Sequence, residues 1–101
     1  MASELTKESR KALKTVYELY CERRKDGQSK NSARYFDAPG WGGGPVIDGM
    51  EDASGELNDS GFIKMDVIGG FELTDKAIKF MENFTKDTFL KWLEFGTQFI
   101  P

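Results

Sequence analysis

The chain has no histidine and only one cysteine, Cys21. Without histidine it lacks the commonest general base and the commonest ligand for transition metals. One thiol cannot close an intrachain disulfide, which fits a reducing compartment such as the cytoplasm. No apolar run approaches the ~18 residues that a membrane helix requires. Residues 1–10 lack the apolar centre of a signal peptide. From these absences we expect a cytoplasmic protein that is not an enzyme, uses no cofactor and does not enter a membrane. One more absence is local. Residues 37–60 contain no lysine or arginine but six acids: Asp37, Asp48, Glu51, Asp52, Glu56 and Asp59.

What is present suffices for one domain. The 101 residues are 39% hydrophobic and 13% aromatic, enough to fill a modest core. Charge is distributed unevenly along them. Residues 1–36 hold nine bases (Lys7, Arg10, Lys11, Lys14, Arg23, Arg24, Lys25, Lys30 and Arg34) against five acids. The chain therefore runs from a basic third, through an acidic middle, to a nearly balanced end, for a net charge of -3.

Periodicity predicts a first helix over about 6–24, capped by Thr6, with Leu13, Val16, Tyr17 and Tyr20 as its apolar stripe. Lys7, Arg10, Lys11 and Lys14 repeat at the same spacing on another face. A short second helix is expected over 29–36, then a glycine-rich loop to Pro45. A third helix is expected over 45–60, with Pro45 in its first turn and Val46, Met50, Ala53 and Leu57 along one side. Gly49 and Gly55 weaken it and Gly61 stops it. Residues 62–68 and 71–73 read as a hairpin turning on Gly69-Gly70. Thr74 then caps a helix to about Phe84, and an apolar helical stretch follows over 85–99.

Few of these residues carry recognisable chemistry. Cys21 has no histidine partner and lies beside the apolar stripe, so it reads as a packing thiol. The glycine loop is not followed by Gly-Lys-Ser/Thr, and Pro45 stands where a dinucleotide fingerprint needs glycine. Trp41 in that loop is either a binding anchor or a core residue. Asp48, Glu51 and Asp52 fall at i, i+3, i+4, a spacing that suits a solvated acidic face better than a calcium loop. No metal or catalytic residues are assigned.

The segment Leu57-Asn58-Asp59-Ser60-Gly61-Phe62-Ile63, the Gly69-Gly70 turn, and Phe71-Glu72-Leu73-Thr74-Asp75-Lys76-Ala77 together resemble the end of a winged-helix domain. In that family a third helix closes on Leu-x-x-x-Gly-Phe/Leu-Ile, a β-wing follows, and Leu-Thr-x-x-Gly opens the last helix. Ala77 stands where the family often has glycine. The resemblance is greatest to small winged-helix proteins of bacterial and phage origin. It implies a mainly α fold with a small β-hairpin: a winged helix-turn-helix of three helices and a two-stranded wing, over 1–84. Residues 85–101 would be an apolar helical extension of the same domain.

Two functions follow. The resemblance implies a transcription-regulator-like, DNA-binding module contacting phosphate through Lys30, Arg34 and Lys64, with Lys7, Arg10, Lys11 and Lys14 of the first helix assisting. Against it, the helix that would enter the major groove carries acids and no base, which repels a polyanion. The alternative is a protein–protein interaction module using that acidic helix and the aromatic tail. Phe89, Trp92, Phe95 and Phe99 offer more apolar surface than a terminal helix of a small monomer should expose, so either part of it packs on the same domain or it forms a homodimer contact.

Overall fold

A computed structural model describes residues 5–39 and 43–95 of the chain. Within them lie five helices and three strands, in the order α1 (Lys7–Lys25), α2 (Lys30–Ala33), β1 (Tyr35–Phe36), α3 (Met50–Asp59), β2 (Ile63–Met65), β3 (Phe71–Leu73), α4 (Asp75–Glu82) and α5 (Lys86–Phe95). The strands form one antiparallel sheet in the order β1-β3-β2. Trp41 and Phe99, along with the rest of the aromatic tail beyond Phe95, lie outside the described residues.

Helix α1 forms as its sequence requires. Thr6 has extended backbone, and its hydroxyl accepts from the Ser9 amide at 3.2 Å. Leu13, Val16 and Tyr20 are buried, joined by Ala12. Helix α3 packs on this face through Ala53 and Leu57, while the sheet adds Phe36, Ile63 and Leu73 to the same core. α4 contributes Ala77, Ile78 and Met81, and α5 contributes Trp92. Removing this apolar surface from water is the main driving force for the arrangement.

The second helix is shorter than expected. It ends at Ala33, and Tyr35-Phe36 continue as a strand. Tertiary contacts outweigh a weak local preference here. The Arg34 carbonyl accepts from the Leu73 amide at 2.8 Å. Arg23 of α1 reaches across to donate to the Tyr35 carbonyl at 2.6 Å, with its guanidinium carbon 4.2 Å from the Phe36 ring centre. The sheet therefore has a third strand that periodicity does not reveal.

The third helix also starts late, at Met50 rather than Pro45. Gly49 adopts φ +77 as its N-cap, a left-handed conformation that interrupts the helix its neighbours would otherwise extend. Val46, assigned by spacing to the buried side, is left 82% exposed. The hairpin differs in its turn. The strands are joined by the five residues 66–70, and only Gly69 takes positive φ, so the expected two-residue Gly-Gly turn does not form. The Asp66 side chain accounts for this, accepting from the amides of Ile68 at 3.1 Å and Gly70 at 2.9 Å.

Thr74 caps α4 as expected, accepting from the Ala77 amide at 3.2 Å. The same hydroxyl donates to the Gly61 carbonyl at 2.6 Å, which ties the helix start to the end of α3. No helix is long and apolar enough to cross a membrane among the described residues.

Candidate interaction surface

Packing fixes which side of α3 faces water. Ala53 and Leu57 turn inward, so Glu51, Asp52, Gly55, Asn58 and Asp59 are exposed. Glu56 lies at the margin and anchors the helix. Its carboxylate accepts from the Thr6 amide and hydroxyl, each at 3.0 Å. A hydrogen bond from Ser9, then those from Thr6, hold that carboxyl below the usual carboxylate range. Asn58 bridges the helix to the sheet by accepting from the Met65 amide at 3.2 Å.

A polar pair ties the hairpin to β1. Tyr35 of β1 donates its hydroxyl to Asp66 at the end of β2. Because the tyrosine proton is used in this bond, Asp66 sits below the usual carboxylate range and Tyr35 is pushed up to about 12. Gly70, directly beneath, is buried, and a side chain there would run into the Tyr35 hydroxyl.

Between the 43–49 loop, the start of α3 and this hairpin lies a cleft of about 390 Å³. Pro45, Val46, Met50, Met65 and Phe71 line it, with Glu51 at its edge. Val67 and Ile68 stand in the adjoining hairpin loop, Ile68 being 75% exposed and Val67 fully so. Of the exposed large apolar side chains among the described residues, Val46 and Met65 line the cleft itself.

The basic residues expected to meet phosphate are dispersed, and several are engaged inside the molecule. Arg10 is only 8% exposed and donates to the carbonyls of Leu5 and, at 3.2 Å, Leu93. It is an internal strut between α1 and α5, not part of a surface stripe. Arg34 donates to the Leu73 carbonyl at 2.9 Å and to Asp75 at 2.7 Å, and Lys30 joins the same carboxylate at 3.5 Å. Asp75 is accordingly held below the usual carboxylate range, chiefly by its hydrogen bond from Arg34. Lys14 pairs with Glu18 at 3.1 Å and Lys7 with Glu94 at 3.8 Å. Lys11 is exposed, but Glu8, Glu18 and Glu22 are exposed on the same helix. Lys64 projects from the middle of β2 in a cross-strand row with Glu72 and Tyr35.

The aromatic residues of α5 are likewise drawn inward. Trp92 is fully buried, and Phe80, Phe84 and Phe89 pack around it at ring-centre distances of 5.3 to 6.0 Å. Phe89 is partly buried against the core. Trp92 therefore completes this chain's own core and is not displayed to a partner, while Phe89 keeps part of its ring at the surface. Phe95 is the last residue of α5, with its side chain outside the described portion. Asp48, Glu51 and Asp52 do not share a helix, because Asp48 precedes Gly49. No group of three or more metal-ligating side chains converges among the described residues.

Sequence reasoning missed the Tyr35–Asp66 pair and the cleft. The strand expected over 62–68 ends three residues earlier, at Met65, which leaves Val67 and Ile68 exposed in the hairpin loop. In comparisons with known proteins, the chain matches no family model, no curated protein and no solved structure.

Proposed function

We propose that this protein is a non-enzymatic protein-interaction module that presents the face formed by α3 and the β2–β3 hairpin to a protein partner. The observation that carries this reading is the division of charge. α3 shows water only acids and neutral groups, while Arg10, Arg34 and Lys30 are engaged in internal hydrogen bonds and ion pairs. A surface that binds nucleic acid gains much of its affinity by neutralising phosphates, and this one offers repulsion instead.

A winged-helix DNA-binding module is the second reading. The sheet order β1-β3-β2 and a hairpin that directly follows α3 support it, as does the Leu57–Ala77 resemblance. Fold alone does not assign a function, so the local charge is what favours the first reading. Fluorescence anisotropy of a labelled random duplex, at about 50 mM and about 200 mM salt, separates them. We expect no binding at either salt. Micromolar binding that drops steeply at the higher salt would overturn the interaction-module reading in favour of DNA.

A further inference from the structure

The geometry points to a basic, amphipathic segment of a partner protein as the occupant of the cleft between the 43–49 loop, α3 and the hairpin. This inference rests on the interaction-module reading and specifies its partner. Two independent features of the cleft define that partner.

The first is shape and polarity. Val46, Met50, Met65 and Phe71 form an open apolar trough. An apolar trough of this kind accepts side chains projecting from one face of an extended or helical segment. Met50 and Met65 are unbranched and adaptable, which suits a surface that moulds to an incoming side chain.

The second is charge. From Tyr35 to Thr74 the chain has a single base, Lys64, against eight acids. Strand alternation places Lys64 on the opposite face of β2 from Met65, so the one base points away from the trough. Glu51 stands at the edge of the trough, and Asp52 follows it on the exposed side of α3. A partner bearing lysine or arginine beside its apolar anchors gains attraction at this rim, and an acidic one is excluded. The same argument disfavours a second copy of this chain, because a two-fold contact would set acid against acid.

The test is an amide chemical-shift titration of the full chain with three probes. One is a synthetic helical peptide of about 16 residues with leucine at i, i+4 and i+7 and lysine on the other face. The second is the same peptide with glutamate replacing lysine, and the third is random duplex DNA. We expect the lysine peptide alone to shift amides around Val46, Met50, Met65 and Phe71. Glu51→Lys combined with Asp52→Lys should weaken it about tenfold, and Val46→Asp combined with Met65→Asp should abolish it. All four side chains are exposed, so the fold tolerates their replacement.

Equal binding of the glutamate peptide, shifts confined to another surface, or no shift with any probe would each overturn the inference while leaving the interaction-module reading in place. Shifts at these same amides that grow with protein concentration alone would assign the cleft to a second copy. Binding that emerges only after Trp41→Ala would assign it to the chain's own loop. Shifts with duplex DNA along α1 and Lys64 would instead overturn the interaction-module reading itself.

Discussion

At the scale of single residues, Arg10 and Tyr35 show how polar groups work inside this small fold. Arg10 belongs by spacing to a surface stripe, yet its guanidinium satisfies carbonyls at both ends of the α1–α5 contact. Replacing it with methionine keeps the apolar stem but leaves the Leu5 and Leu93 carbonyls without that donor. Arg10→Met should cost about 1–3 kcal/mol in urea unfolding, well beyond the effect of a surface arginine. Tyr35 and Asp66 make a prediction in pH. Asp66 is depressed from its ordinary 3.8, so its contribution is full above that value and is lost as pH falls through the lower folded value. Tyr35 is raised from 10.0, so its contribution is full below pH 10 and is lost as pH climbs toward about 12. The hairpin should hold between about pH 4 and pH 10 and loosen at either side. In Tyr35→Phe the Asp66 carboxyl should titrate closer to its ordinary value, measured by its side-chain carbon shift. An unchanged titration would show that the hydroxyl does not hold it.

At the scale of elements, the two glycines of the third helical segment separate cleanly. Both look like weak points in a helix. Gly49 instead has φ +77 and ends the preceding loop, whereas Gly55 lies inside α3 with open space where a Cβ would project. Gly55→Ala should stabilise the protein by about 0.5–1 kcal/mol through helix propensity. Gly49→Ala should destabilise it by about 1 kcal/mol or more, because alanine resists the left-handed region. Thermal unfolding of the two variants should move in opposite directions. Shifts of the same sign would mean that α3 does not start where Gly49 places it.

At the scale of the whole molecule, the decisive feature is where the apolar surface goes. The aromatic end of the chain looks like a dimer contact until Trp92 is placed at the centre of Phe80, Phe84 and Phe89. With those rings packed around Trp92, the cleft is an open apolar face among the described residues, and its acidic border opposes self-association. Sedimentation equilibrium at tens of micromolar protein should therefore return a mass close to 11.4 kDa. A concentration-dependent dimer would mean that the cleft or the chain end beyond Phe95 is an interface between copies.

Elements whose signals are local can be read directly from the chain. Thr6 and Thr74 mark helix starts because a hydroxyl beside free amides works without long-range help, and the α1 stripe of Leu13, Val16 and Tyr20 needs only its own spacing. The division into basic, acidic and balanced thirds is also a property of the chain alone. The rest depends on contacts between distant segments. Tyr35-Phe36 became a strand because Arg23 and Leu73, distant in sequence, supply partners that a short helix could not. Val46 went outward because the backbone turn at Gly49 breaks the register on which its burial depended. Arg10, Arg34 and Trp92 left the surface because carbonyls, a carboxylate and aromatic rings from other elements converge on them. Charge and spacing state what a side chain offers, and only the assembled fold states what it meets.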